Sequence, residues 1–114
     1  MSEHEDLVER LREFSNARNW GQFHSPKNLA MALSAEVGEL LEHFQWLTEA
    51  ESNDLEVSSL ESVALEMADI YLYLLRLSDV LGVDLVAAAN RKIEINNKKY
   101  PVETSYGSKK KHLG

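Results

Sequence analysis

Hydrophobic residues recur along the chain at intervals of three and four, which is the spacing of amphipathic helices. The first predicted helix covers roughly residues 3 to 18, where the apolar side chains fall on one face. The second is predicted to begin at Ser25-Pro26, because serine caps free amides and proline at the first helical position has no amide to leave unpaired. This helix is predicted to run to about Trp46.

A third helix is predicted after a polar, acidic segment. The segment LTEAESNDLEV has no hydrophobic period and predicts a loop. Ser58 and Glu61, three residues apart, have the capping-box arrangement, so the third helix is predicted to begin there. It continues to Leu81, and Gly82 is predicted to supply the left-handed conformation that ends it.

A fourth helix and a tail complete the predicted order. Asp84 can cap a helix that runs through about Lys99, and Pro101 ends it. Residues 1 to 101 are predicted to form one domain, and residues 102 to 114 a flexible basic tail. No strand is predicted, so the fold class is all-α, of the four-helix-bundle type.

Composition and charge disfavour several classes of protein. The chain is 44% hydrophobic and 27% charged, as in ordinary soluble globular proteins. Its net charge of −7 disfavours polymeric nucleic acid as a partner, because such binding starts from neutralisation of phosphates by Lys and Arg. There is no apolar run of the ~18 residues that a membrane span needs, no signal-peptide pattern and no cysteine, so we expect a cytoplasmic protein without a membrane partner.

Two pairs of carboxylates interrupt the apolar faces of the second and third predicted helices. Glu36 and Glu39 stand three residues apart on the second, and Glu66 and Asp69 repeat that spacing on the third. Side chains three apart are neighbours on a helix, so packing the two helices together would make all four converge. Two charges ~4 Å apart repel by ~4 kcal/mol at an effective dielectric of ~20, so the cluster needs protons or a cation. All-oxygen ligation suits Mg²⁺, or Mn²⁺.

Two interpretations of these carboxylates as something other than a metal site stay open, and a competing metal site is disfavoured. Glu pairs at this spacing are common on solvated helix faces, and a non-catalytic helical module could use its acidic faces to dock a basic partner. A di-iron bundle is disfavoured, because it takes its imidazoles from Glu-x-x-His motifs and no histidine here lies three residues after a glutamate.

Basic and aromatic residues provide candidate contacts for an anionic nucleotide. Lys92 and Asn96 share one face of the fourth helix and could bind phosphate oxygens beside a metal, although basic residues near a helix C-terminus also interact favourably with its dipole. Flat rings stack on a nucleobase, and indole, imidazole and phenol groups can read its edge. The candidates for a base pocket are Trp20, His24, Trp46 and Tyr73.

Five segments carry a resemblance to a known family. They are FSNARNWGQFHSPKNLAMAL, EVGELLEHFQW, LEMADIYLYLL, GVDL and the stretch from Lys92 through NNKKYP. Together they span nearly all of residues 7 to 101 in order. The chain resembles the MazG-like, all-α nucleoside triphosphate pyrophosphohydrolases, and within them most of all the dCTP pyrophosphatase branch, with both carboxylate pairs as the family's metal motif.

The resemblance implies hydrolysis of a nucleoside triphosphate to the monophosphate and pyrophosphate. It implies Mg²⁺ held by both carboxylate pairs, with either Glu39 or Glu36 as the base that takes a proton from the attacking water. It further implies phosphate contacts from Lys92 and Asn96, and a nucleotide pocket that includes Trp20, Trp46 and Tyr73.

The resemblance also bears on substrate and assembly. It favours dCTP or a related, non-standard dNTP as substrate and a house-cleaning role in the nucleotide pool, with dUTP or an alarmone-like nucleotide as alternatives. Sites in this family form between associated subunits, so it implies a homodimer or a dimer of dimers.

Overall fold

The computed structural model describes residues 2 to 108, which form helices and turns without any strand in that range. This confirms the all-α prediction. The chain divides into two compact units, Met1–Gly82 and Val83–Gly114. The helices in order are α1 (Glu3–Ala17), a 3₁₀ helix (Trp20–Phe23), α2 (Pro26–Glu42), α3 (Glu49–Ser52), α4 (Val57–Leu81), α5 (Leu85–Lys99) and α6 (Val102–Ser105).

Two predicted helix starts are confirmed by their capping hydrogen bonds. The Ser25 hydroxyl accepts from the backbone N–H of Asn28 at 3.1 Å, with Pro26 in the first turn of α2. The Asp84 carboxylate accepts from the backbone N–H of Ala87 at 3.0 Å and so begins α5. Each cap satisfies an amide that the helix itself cannot pair.

The predicted capping box at the start of the long helix is wrong. α4 begins at Val57, and its N-cap, Glu56, makes no side-chain capping bond. The capping box lies earlier, in the segment predicted as a loop, where Thr48 and Glu51 exchange side-chain and backbone hydrogen bonds of 2.9 and 3.1 Å. This pair holds the single turn of α3, which is too short to show a hydrophobic period.

Of the remaining helix boundaries, the end of α4 agrees with the prediction, whereas the end of α2 and the turn of α6 differ from it. α2 ends at Glu42, several residues before Trp46, because the backbone there tightens to bonds spanning three residues, such as the 2.9 Å bond from Phe44 N–H to the Leu41 carbonyl. α4 ends at Leu81 as predicted, and the φ of 69° at Gly82 is the predicted left-handed stop. One helical turn, α6, lies in the segment predicted as a tail. Residues 109 to 114 of that tail are outside the described residues, and the predicted domain boundary stays a prediction.

The first unit is built mainly by α2 packing along α4, with α1 also against α4. Leu29 of α2 and Leu75 of α4 are fully enclosed, and Val63 is 5% exposed. Burying one such side chain contributes about 1.5–3 kcal/mol. The predicted apolar faces of the two helices are only partly buried. Val37 on α2 is 49% exposed, and Met67 on α4 is 57% exposed.

None of the helices in the described range has both the length and the apolar character needed to cross a bilayer.

Candidate active site

Packing of α2 on α4 brings three of the four predicted metal ligands together. Glu36, Glu39 and Glu66 each place a carboxylate oxygen within 4.8 Å of those of the other two. Glu36 and Glu66 are half-buried and Glu39 is exposed. The spacing of three puts the two α2 carboxylates side by side, and the helix pairing supplies the third.

Asp69, the fourth predicted ligand, lies outside this group of three. It is an exposed residue one turn beyond Glu66 on α4. Its charge is near enough to act on Glu36, and it lines the adjoining cavity. Its role as a ligand therefore stays a prediction.

Within residues 2 to 108, no basic side chain forms an ion pair with the three carboxylates. The Glu66 carboxyl raises the pKa of Glu36 above its ordinary value, and burial and the charge of Asp69 act in the same direction. Glu36 in turn raises the pKa of Glu39. In the part of the chain that the structure describes, the buried Oε2 of Glu36 and the buried Oε1 of Glu66 have no hydrogen-bond partner. Unpaired buried carboxylate oxygens are costly, and a divalent cation with oxygen ligands would satisfy them, so these residues fit Mg²⁺ or Mn²⁺.

A cavity of about 490 Å³ lies in the same unit, a size suited to a small-molecule ligand. It brings together three of the four aromatic residues predicted to bind the base, Trp20, His24 and Tyr73, with Asp69 in its wall. The Trp20 ring meets His24 edge-on, with ring centroids 6.4 Å apart. The remaining lining residues are Leu7, Arg10, Leu11, Phe14, Ser15, Leu29, Leu72 and Arg76.

Three predicted binding residues remain, Trp46, Lys92 and Asn96. Trp46 lies in the turn after α2, is 87% exposed and is not among the residues of the cavity wall. Lys92, which is exposed, and Asn96, which is half-buried, lie on α5 in the second compact unit. Their roles in binding phosphate stay predictions.

A polar network in the cavity wall was missed from the sequence. The Arg76 guanidinium donates to His24 and to Asp79, and Ser15, which is only 1% exposed, joins the same group. Arg12 donates from α1 to Asp79 through two nitrogens. One signal was available, because Arg76 is the only basic residue of α4 and stands three residues before Asp79, within an apolar run.

The fold and site define an all-α protein with a carboxylate centre on two paired helices beside an aromatic cavity. The chain belongs to the MazG-like family, whose family model matches residues 31 to 113. The resemblance expected from the sequence is thereby confirmed.

Within this family, the chain is similar in sequence to proteins named dCTP pyrophosphatase 1. The chain is 41% identical to dCTP pyrophosphatase 1 of Homo sapiens over 110 residues, which is 95% of this chain and 65% of that protein. It is 43% identical to dCTP pyrophosphatase 1 of Bos taurus over 106 residues, which is 91% of this chain and 63% of the relative. The chain thus spans less than two thirds of the length of these curated relatives.

A solved structure shows the same fold. A pyrophosphatase from Archaeoglobus fulgidus DSM 4304 superposes with a TM-score of 0.78 at 42% sequence identity. The match covers 89% of this chain and 94% of that one.

Proposed function

We propose that this protein is a nucleoside triphosphate pyrophosphohydrolase that uses Mg²⁺ and acts on dCTP or a related, non-standard dNTP. It would release the monophosphate and pyrophosphate and so remove unwanted nucleotides from the pool. The observation that carries the proposal is the group of three carboxylates, two of which have unpaired buried oxygens. The names of the relatives, dCTP pyrophosphatase 1 and a pyrophosphatase, support the choice of reaction and substrate.

The four predicted carboxylates would share the work of holding the cation. The mutual approach of Glu36, Glu39 and Glu66 supports their proposed role as ligands, and Asp69 is proposed as the fourth from the sequence motif. When bound, Mg²⁺ would neutralise charge on the triphosphate and lower the pKa of a bound water.

The proton of the attacking water needs an acceptor. The proposed base is Glu39 or Glu36, whose raised pKa values make both carboxylates stronger bases than a free glutamate. Water would add to the α-phosphorus as the bond to the departing pyrophosphate breaks. Lys92 and Asn96 are proposed to bind phosphate oxygens and to stabilise the charge that develops on the leaving group.

The cavity is the proposed site for the nucleobase. Trp20 and Tyr73 offer ring faces for stacking, and His24 offers a polar edge. Trp46 is proposed as a further contact from its place in the family-like segment, although it lies on the surface of this chain.

The proposed assembly is a homodimer or a homotetramer. The proposal is supported by the apolar side chains that stay exposed on both paired helices, because large exposed apolar patches are typical of surfaces that bind another protein. They include Met31, Val37 and Leu41 on α2 and Leu60, Leu65, Met67 and Tyr71 on α4, each at least 43% exposed. We further propose residues 1 to 101 as the functional domain and the cytoplasm as the place of action, with neither polymeric nucleic acid nor membrane as partner.

The deciding experiment measures pyrophosphate release from each dNTP, and from dUTP, with Mg²⁺ and with EDTA. We expect release with Mg²⁺, fastest for dCTP or a modified dNTP, and none with EDTA. Equal rates in both buffers, or no release from any nucleotide, would defeat the proposal. A dUTP preference would keep the reaction and change the substrate.

Two alanine variants test whether Glu36 and Asp69 belong to the proposed metal site. Glu36→Ala and Asp69→Ala should abolish turnover while circular dichroism shows unchanged helical content, and retained activity removes that residue from the site. Glu61→Ala makes the same change at an exposed position of α4 outside the group of three and is the matched control.

A thermal shift separates the enzyme from a docking module. Mg²⁺ with nucleotide must raise the melting temperature of a protein that binds both, by mass action. The interaction-module alternative predicts no shift.

A further inference from the structure

The Arg76 side chain donates hydrogen bonds in three directions from the C-terminal part of α4. Its Nε–H donates to Nδ1 of His24 at 3.1 Å and its Nη1–H to Oδ2 of Asp79 at 3.3 Å. Its Nη2 lies 3.5 Å from the hydroxyl of Ser15, and that hydroxyl is 3.2 Å from the same Nδ1. The Arg76 side chain is 14% exposed, so these bonds form largely out of contact with water.

These contacts determine which nitrogen of His24 carries the proton. An arginine N–H can only donate, so Nδ1 must accept and cannot itself be protonated. A neutral imidazole then has its single N–H on Nε2. Burial and the neighbouring Arg76 charge both lower the pKa of His24, which agrees with a neutral ring.

The orientation of Arg76 has its own support. Asp79 accepts from Arg76 and also from Nε of Arg12 at 2.8 Å, so the carboxylate ties α1 to the arginine of α4. The bond from Arg12 lowers the pKa of Asp79, which therefore stays ionised. A planar guanidinium held by a carboxylate on one side presents its Nε–H in a fixed direction.

We propose that Arg76 is a positioning residue that fixes His24 as the neutral, Nε2-protonated ring, so that a nucleobase in the cavity meets one hydrogen-bond donor. His24 lines the cavity, and within residues 2 to 108 its Nε2 has no protein hydrogen-bond partner. The inference rests on the proposed function for the identity of the ligand, but the state of the ring is a property of the protein alone.

The chemistry of the ligand follows from the tautomer. A fixed Nε2–H pairs with an acceptor on the base, either a carbonyl oxygen or an unprotonated ring nitrogen. The opposite tautomer would present a lone pair and would pair with an exocyclic amine instead. Arg76 would thereby select, through His24, the edge of the base that can face the ring.

The first test is the nitrogen spectrum of the histidine rings in the full chain without ligand. In the wild type we expect a lone-pair-type shift for Nδ1 of His24 and a protonated-type shift for Nε2. Arg76→Lys keeps the positive charge but removes the Nε–H fork, and should give a mixture of tautomers. Arg10→Lys makes the same substitution at another arginine of the cavity wall, which has no hydrogen bond to the ring, and should leave the spectrum of His24 unchanged.

The second test is the kinetics of pyrophosphate release by the same variants. A base contact that is equally strong in the ground and transition states affects KM and leaves kcat unchanged. We expect Arg76→Lys to raise KM about fivefold, the size of one lost hydrogen bond, with kcat changed less than twofold. A merely structural role would lower the active fraction, and so kcat, without a selective change in KM.

The outcomes are distinguishable. A wild-type His24 that is protonated on Nδ1, or that mixes tautomers as freely as the variant, overturns the inference. A shifted tautomer in Arg76→Lys with an unchanged KM overturns its link to base binding. If no nucleotide is hydrolysed, the proposed function fails, while the spectrum of the ligand-free protein still upholds or refutes the assignment of the ring.

Discussion

Replacing Glu36 with glutamine should make the metal-free protein more stable and the metal-loaded protein relatively less stable. The change keeps the shape of the side chain and removes one charge from a group whose oxygens lie within 4.8 Å of one another. At that separation, the repulsion between Glu36 and Glu66 is about 3.5 kcal/mol at an effective dielectric of about 20 and about 0.9 kcal/mol in water. Because Glu36 is only half-buried, we expect a gain near the lower value, about 1 kcal/mol.

Thermal unfolding in EDTA at neutral pH measures this gain. About 1 kcal/mol corresponds to a rise of about 4 °C in melting temperature for a chain of this size. Adding Mg²⁺ should reverse the order, since the wild type gains about 2.7 kcal/mol at a concentration one hundred times the dissociation constant and the variant gains less. Glu61→Gln, on an exposed face of α4, is the matched control and should shift neither value measurably.

The stability difference between Glu36→Gln and the wild type should depend on pH. The folded-state pKa of Glu36 is raised above 4.5, so the stability linked to its protonated form is complete below 4.5 and is lost as pH rises through the raised value. The advantage of Glu36→Gln should therefore grow with pH and vanish in acid. Two results would refute this account of the site as a group of repelling carboxylates that binds a cation. One is a variant that is less stable than the wild type in EDTA, and the other is a variant that Mg²⁺ stabilises as much as the wild type.

Three further predictions concern stability, each measured by urea unfolding of the full chain. Asp79→Asn should lower the free energy of unfolding by about 2 kcal/mol, because it removes charged hydrogen bonds to Arg12 and Arg76. The pKa of Asp79 is lowered in the folded state, so its stabilising contribution is present above pH 3.8 and is lost as the pH falls. A difference that does not change with pH would contradict this. Leu75→Ala should cost about 2–5 kcal/mol, because Leu75 is fully enclosed, and a loss below 1 kcal/mol would show that the core collapses around it. Ser25→Ala should cost about 1 kcal/mol through the lost cap, whereas Ser25→Gly should cost only a few tenths, and equal losses would argue against capping.

The sequence predicts those features whose cause lies within a few residues. Ser25 before Pro26, and Gly82 after a long apolar period, each specify a helix end by local geometry, and both ends are found. The start of α4 has no such local signal, because Glu56 makes no capping bond. The turn of α3 is an exception, because Thr48 and Glu51 have the local capping-box spacing but four residues are too few to show the hydrophobic period that would follow it.

The candidate site divides in the same way. The spacing of Glu36 and Glu39 is local, and their meeting with Glu66 needs only that two amphipathic helices pack on their apolar faces. The bond between Arg76 and His24 joins residues 52 positions apart and depends on tertiary structure, so no spacing rule indicates it. The family resemblance conveys the carboxylate motif but carried no information about this network.

Because α4 is one continuous helix, it fixes the spacing between the carboxylate group and the cavity wall. Glu66, Asp69, Tyr73 and Arg76 follow one another at intervals of three and four along this one 25-residue helix. A rise of ~1.5 Å per residue places the first and last about 15 Å apart along its axis. Inserting one residue between them would turn everything downstream by about 100° and move the cavity-lining end of the helix out of line with Glu66. The two groups therefore stay aligned only while this segment keeps its length.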